Sequence, residues 1–155
     1  MGVNRGKQFE DKIKEGFERV KNTSVIRLYD VMTGYEGICN PCDFIVYHYP
    51  IMYMIECKSI HNNTLNFKSD IRKNQWDELL EYSKINGVVA GYMVWFIDKD
   101  KTIFVSSQEL LNLYNNGEKS LNINKLPNHI VIEGVKKRVL FDYNMEKFIN
   151  YYEQN

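Results

Sequence analysis

Two short apolar runs separated by a single proline constrain the fold of this chain more than any other feature. DFIVYHY precedes Pro50 and IMYMIECK follows it. Both runs are rich in β-branched and aromatic residues, which favour strands, and proline is typical of the turn between two strands. We therefore predict an antiparallel hairpin in which Asp43 opens the first strand and Glu56 lies near the end of the second.

This hairpin should bring two acids and one ammonium group together. Asp43 and Glu56 lie at similar distances from the turn, so they are expected at the same end of neighbouring strands. Lys58 follows Glu56 by two positions, so both side chains should project from one face while Cys57 points into the opposite layer. Two carboxylates at close range repel each other unless a cation lies between them, and oxygen ligands suit Mg²⁺ or Mn²⁺.

The remaining pattern predicts helices packed on a sheet. Apolar residues recur at helical spacing from Gly6 to about Val20, and a second helix is expected from Ser69, a candidate N-cap, to about Asn86. The other expected elements are the strand VIRLYDVM, a hairpin of VVAGYMVWFI and TIFVSS, a helix SQELLNLYNN, a second hairpin of NHIVIEG and KKRVLFDY around Gly134, and a last helix MEKFINYYEQN. We predict an α/β fold with a mixed β-sheet flanked by helices, in one domain spanning residues 1–155.

The composition narrows the class of protein. With 20 basic and 20 acidic residues the net charge is zero, which argues against a protein that coats nucleic acid by charge alone. No apolar run approaches the roughly 20 residues of a membrane-spanning helix. The first residues also lack the apolar core of a signal peptide, so a cytoplasmic protein without membrane contact is expected.

The cysteines offer an alternative metal site. Cys39, Cys42 and Cys57 are expected to be free thiols, because an odd number without an export signal does not suggest a disulfide framework. Cys39 and Cys42 form a C-x-x-C pair, which leaves a zinc or redox site as an alternative. No second ligand pair follows, so magnesium is the preferred metal.

The hairpin motifs resemble those of the PD-(D/E)xK nuclease superfamily. Residues 41–43 (Pro-Cys-Asp) stand near its PD element, and residues 56–58 match its E-x-K. A narrower resemblance, from Asn4 to about Leu111, is to RecU-type Holliday-junction resolvases, including phage versions. It rests, in order, on NRGKQFE at 4–10, CDF at 42–44, ECK at 56–58, and Thr64, Phe67, Ile71 and Gln75.

This resemblance implies a restriction-endonuclease-like core and a magnesium-dependent endodeoxyribonuclease. It implies Asp43, Glu56 and Gln75 as metal-site residues, Lys58 as the group that stabilises the transition state, and Glu10 as an assisting acid. The implied substrate is four-way or otherwise branched DNA, cut by paired nicks in bacterial or phage recombination and repair. A homodimer suits this substrate, because a junction offers two equivalent strands. Mg²⁺ is expected, with Mn²⁺ as a possible substitute, and no organic cofactor.

Two features depart from the family pattern. Pro41 stands where typical members have a threonine metal ligand, so that contact would have to come from a backbone carbonyl or water. The stretch from Lys21 to Cys42 is also short for the stalk that larger members insert into a junction.

Basic residues flank the predicted metal site and are candidates for DNA contact. They are Arg5, Lys7, Lys12 and Lys14 on the first helix, and Lys68, Arg72 and Lys73 around the start of the helix that bears Gln75. A third basic patch spans residues 136–138, and Tyr35 is an aromatic candidate for DNA contact.

Several alternatives stay open at this point. The same chemistry would suit a restriction-type or repair nuclease on duplex, flapped or nicked DNA, and the same fold would suit a DNA-binding protein that no longer cuts. The site residues also have plain structural explanations. Asp43 could cap a turn, Glu56 could pair with Lys58, and Gln75 and Glu10 could be solvated helix residues.

Overall fold

The computed structural model describes residues 2–29 and 39–155. Its helices are α1 (Arg5–Glu18), α2 (Lys73–Tyr82), α3 (Ser107–Asn115) and α4 (Met145–Gln154). Its strands are β1 (Ser24–Arg27), β2 (Phe44–His48), β3 (Ile51–Ile60), β4 (Thr64–Asn66), β5 (Val88–Phe96), β6 (Lys101–Ser106), β7 (Ser120–Asn122), β8 (Ile130–Val131), β9 (Gly134–Lys136) and β10 (Phe141–Tyr143). Tyr35 and part of the predicted strand VIRLYDVM lie outside the described residues.

A six-stranded mixed sheet organises the chain. Its strand order is β1-β2-β3-β5-β6-β8, with β3 and β5 parallel and the other neighbouring pairs antiparallel. Strands β2 and β3 form the predicted hairpin around Pro50, and β5 and β6 form the predicted second one. Both hairpins are therefore confirmed, as is the mixed α/β architecture.

Helices cover both faces of this sheet. Phe9, Ile13 and Phe17 of α1 pack with Phe148 of α4 in one buried cluster. The opposite cluster contains Leu79 of α2 and Leu110 of α3, together with Met54, Tyr92 and Val94 from the sheet. The predicted amphipathic stripe of the first helix is confirmed, since its apolar side chains lie between the helix and the sheet. Cys57 lies in the α1-side cluster, as expected, whereas its neighbours in β3 alternate to the α2 side.

The start of the second helix was predicted wrongly. Helix α2 begins at Lys73 with Arg72 as its N-cap residue, and Ser69 lies in a turn. The Asn66 side-chain oxygen accepts hydrogen bonds from the backbone N–H groups of Lys68 and Ser69. A local side chain thus satisfies the donors that a helix would have used, which favours the turn. The first, third and last helices lie where the sequence predicted them.

The strand pairing in the second half of the chain also differs from the prediction. Instead of forming one hairpin around Gly134, Ile130 and Val131 join the main sheet beside β6. Strand β9 then pairs with β10 in a separate two-stranded sheet. A further small sheet of β4 and β7 was not predicted. No helix in residues 2–29 or 39–155 is long and apolar enough to cross a bilayer.

Candidate active site

The hairpin register brings Asp43 and Glu56 together. Phe44 pairs with Ile55, so Asp43 and Glu56 are the next residues outward on neighbouring strands. The Asp43 N–H donates to the Ile55 carbonyl oxygen over 3.1 Å. The Asp43 Oδ2 in turn accepts from the Cys57 N–H over 2.8 Å. This hydrogen bond holds the Asp43 carboxylate beside β3, next to Glu56, in line with the proximity of the two acids that the spacing predicted.

Glu56 is buried, and only one of its two carboxylate oxygens has a partner among the described residues. Its side chain lies on the α2 side of the sheet and is only 4% exposed. Lys58 Nζ lies 3.1 Å from Glu56 Oε1, whereas Glu56 Oε2 has no hydrogen-bond partner in the part of the chain that is described. Burial, reinforced by the charge of Asp43, raises the pKa of Glu56 to about 8, although Lys58 opposes the rise. Burial also raises the pKa of Asp43, against the hydrogen bond from Cys57.

Gln75 is a buried residue of α2, not a solvated one. It is 5% exposed and occurs in the helix that packs against β5. Its Oε1 atom has no hydrogen-bond partner among the described residues. A buried amide oxygen without a donor is uncommon in native proteins. Glu56 and Gln75 therefore each contribute an unpartnered oxygen acceptor to this side of the sheet.

Tyr92 also lies on this side of the sheet and was not predicted from the sequence. It pairs with Glu56 across the parallel β3–β5 ladder, so both side chains project from one face. Its hydroxyl is also without a described partner. Burial raises the pKa of Tyr92, and the charge of Glu56 adds to the rise. Only the parallel register reveals this neighbour, because the two residues lie far apart in the sequence.

Glu10 lies near Asp43 but is already engaged. Its carboxylate forms an ion pair with Arg27, and the second guanidinium nitrogen of Arg27 lies 2.8 Å from Asp11. Burial raises the pKa of Glu10, and the nearby charge of Asp43 raises it further, while Arg27 lowers it. Arg27 was missed by the sequence analysis, since one arginine in a short strand has no motif that marks it.

The donor set suits a hard cation. Asp43, Glu56 and Gln75 offer oxygen atoms alone, which are the ligands that Mg²⁺ and Mn²⁺ prefer. Across residues 2–29 and 39–155, no group of three or more His, Cys, Asp and Glu side chains is arranged to hold a metal. A cation here would therefore rely on the two carboxylates, the Gln75 amide oxygen, and backbone or solvent oxygens.

The cysteines do not form a zinc site in the described part of the chain. All three are free thiols, as predicted, with Cys39 exposed and the other two buried. The Cys42 thiol donates to the Phe44 carbonyl oxygen, and burial raises its pKa to about 12. A thiol in this environment stays protonated, whereas zinc binding needs the thiolate.

The predicted DNA-contacting residues differ in their surroundings. Lys7, Lys68, Arg72 and Lys73 are exposed, whereas Arg5 is half-buried. Arg5 donates to Gln8, and Lys73 pairs with Asp77. On the first helix, Lys12 pairs with Glu15 and Asp142, and Lys14 pairs with Glu18. In the third patch, Lys136 pairs with Asp100 and Lys137 with Asp142.

Comparison with known proteins bears on the fold. No protein-family model and no curated protein matches the chain. Among solved structures, the chain is similar to Hjc, a Holliday junction resolvase from the archaeal hyperthermophile Archaeoglobus fulgidus. The TM-score is 0.50 at 16% sequence identity, over 67% of this chain and 78% of that one. The fold is restriction-endonuclease-like.

This finding confirms the predicted fold class. At such low identity the similarity concerns the fold, and the chemistry must be argued from the site itself. Within the restriction-endonuclease-like fold, the structure brings together Asp43, Glu56 and Lys58, and it places Glu10 at their margin beside Arg27. Gln75 is buried on α2, which packs against β5, the strand next to that of Glu56.

Proposed function

We propose that this chain is a magnesium-dependent endonuclease that resolves four-way or otherwise branched DNA by paired cuts. One observation carries the proposal. Asp43 and Glu56 face one another on neighbouring strands, and both Glu56 Oε2 and Gln75 Oε1 are buried without a described partner. A buried carboxylate needs a proton or a cation, because an uncompensated charge in a protein interior costs several kcal/mol. A hard divalent cation would satisfy both orphaned oxygens.

The side chains divide the chemical tasks between them. Asp43, Glu56 and the Gln75 amide oxygen would hold the ion. Bound Mg²⁺ supplies Lewis acidity toward a phosphate oxygen and lowers the pKa of a coordinated water. Lys58 lies 3.1 Å from Glu56 and is half-buried, so its ammonium group is positioned to stabilise charge that develops on the phosphate. The Cys57 N–H keeps the Asp43 carboxylate oriented throughout.

Branched DNA is proposed as the substrate on three grounds. The fold is similar to that of a Holliday junction resolvase, and the sequence motifs resemble the RecU type. Exposed basic residues also lie near both helices that carry site residues, and phosphate binding is favoured near a helix N-terminus. We further propose a homodimer, each chain acting as one domain, in the cytoplasm of a bacterium or phage-infected host.

Cleavage of a synthetic four-way junction tests the proposal. The wild-type protein is expected to cut the junction in Mg²⁺, to do so symmetrically, and to leave duplex of the same sequence intact. Asp43→Asn and Glu56→Gln should abolish cutting and retain DNA binding. Asp98→Asn is the matched control, because Asp98 is an exposed acid that pairs with His61; it should cut normally.

Other outcomes of the cleavage assay would contradict the proposal in different ways. Cutting of both DNAs would show a duplex nuclease, and binding without cutting would show a DNA-binding protein on this fold. Activity retained in Asp43→Asn or Glu56→Gln would overturn the assignment of the metal site. Sedimentation of the free protein and of its junction complex would test the dimer separately.

A further inference from the structure

Arg27 occupies an unusual position beside the proposed site. Its guanidinium group divides between two acids of α1, with Nη2 on Glu10 Oε2 and Nη1 2.8 Å from Asp11 Oδ1. The Arg27 side chain is only 11% exposed. An arginine cannot be deprotonated in a protein, so it places a permanent positive charge next to Glu10.

The strand pairing fixes this charge close to Asp43. Arg27 pairs with Phe44, and the N–H of the following residue, Leu28, donates to the Asp43 carbonyl oxygen over 2.8 Å. The guanidinium carbon lies 5.8 Å from the centre of the Phe44 ring and 5.0 Å from that of Tyr29. Two carboxylates, two rings and the strand backbone therefore hold Arg27 in place.

The sheet separates this pair from the proposed metal ligands. Phe44, the strand neighbour of Arg27, lies in the α1-side cluster, and Glu10 is on α1 itself. Glu56 and Gln75 lie on the α2 side, so Asp43 stands between the two groups. Consistent with this, Glu10 does not join Asp43 and Glu56 in a three-acid cluster that could hold a metal.

Charge balance around the site favours a single divalent ion. Among the described residues, Glu10, Asp11, Asp43 and Glu56 in ionised form contribute four negative charges, and Arg27 and Lys58 contribute two positive ones. The remaining two negative charges match one divalent cation. A second divalent cation would leave an excess of positive charge in a partly buried region, which is unfavourable.

We propose that Arg27 takes the place of a second metal ion, so that the site binds one divalent cation and Glu10 acts as the partner of Arg27. This inference rests on the proposed nuclease function and specifies its metal requirement. Arg27 is thus a positioning residue: it neutralises Glu10 and keeps it from coordinating an ion together with Asp43.

Counting bound Mn²⁺ in the metal-free protein, by paramagnetic resonance titration without DNA, tests the inference. The wild type should bind one ion per chain. Arg27→Gln should bind two, because Glu10 and Asp43 become available to a second ion. The double variant Arg27→Gln with Glu10→Gln should return to one. Lys12→Gln is the control. It also removes a cation of α1 that pairs with two acids, Glu15 and Asp142, and it should bind one Mn²⁺ ion.

The outcomes separate this inference from the proposed function. Two ions per wild-type chain, or one in a folded Arg27→Gln, would overturn the inference alone. Absence of Mn²⁺ binding to the wild type would overturn the metal-dependent function itself. Glu10→Gln adds a test that is independent of any folding defect in Arg27→Gln. It should still bind one ion, with affinity reduced less than tenfold, and complete loss of binding would show that Glu10 is a ligand.

Discussion

Replacing Glu56 by glutamine should make the metal-free protein more resistant to alkaline pH. Glu56 is buried, and its pKa rises from an ordinary value of 4.5 to about 8 in the folded protein. At a pH between 4.5 and about 8, Glu56 retains a proton in the folded state that it has lost in the unfolded state. Stability therefore falls as the pH increases through this window, and it is greatest at the acidic end.

The size of the effect follows from the pKa shift. Each unit of pH inside the window costs about 1.4 kcal/mol, so moving from about pH 6 to about pH 8 should remove roughly 2 kcal/mol of the free energy of unfolding. For a chain of this size, this corresponds to a fall in Tm of roughly 4–8 °C. The raised pKa values of Asp43 and Glu10 act in the same direction. Glu56→Gln is neutral at both pH values and removes the Glu56 contribution.

Urea unfolding in a chelator at the two pH values measures this effect. The difference in free energy of unfolding between Glu56→Gln and the wild type should grow by roughly 2 kcal/mol from about pH 6 to about pH 8. Adding Mg²⁺ should stabilise the wild type and not the variant. Glu81→Gln, at an exposed acid that pairs with Lys84, is the control and should follow the wild type. The reasoning is refuted if the wild type is equally stable at both pH values.

Three further predictions concern other residues. Gln75→Leu should leave the metal-free protein as stable or more stable, because it removes an unpartnered buried oxygen, while Mg²⁺ affinity falls about tenfold. Urea unfolding measures the stability and calorimetric titration measures the affinity; unchanged affinity would exclude Gln75 as a ligand. Lys58→Met should slow junction cutting by about 100-fold with little loss of DNA binding, and a normal single-turnover rate would exclude its role. Gly91→Ala should destabilise the fold by about 3 kcal/mol in urea, because its Cβ would lie 2.4 Å from the Val105 carbonyl oxygen; wild-type stability would show that β6 can move.

Local patterns in the sequence predicted the first hairpin and its acids correctly. The side-chain alternation of a strand and the turn at Pro50 act over a few residues, so they determine which residues meet across β2 and β3. The four helices were recognised for the same reason, although the turn built by Asn66 displaced the start of α2. The mixed α/β architecture could be predicted because its core is assembled from these local units, whereas the restriction-endonuclease-like fold was expected from the resemblance of the motifs to a nuclease superfamily.

Pairings between distant segments were beyond the sequence patterns. Strand β8 contains only Ile130 and Val131, and its apolar residues fit a local hairpin as well as the edge of the main sheet. Beside β6 they join the main sheet, an arrangement that depends on the whole fold. The β4–β7 sheet was missed for the same reason, since each strand has three residues.

The sequence by itself determined that Asp43, Glu56 and Lys58 share one end of a hairpin, because spacing along two adjacent strands is sufficient to place them. Only the tertiary structure decided the surroundings of these groups. The parallel β3–β5 register places Tyr92 beside Glu56, the packing of α2 buries the Gln75 amide, and the β1–β2 pairing brings Arg27 to Glu10. Burial and charge pairing set the pKa values of these groups, and both depend on residues that are distant in the chain.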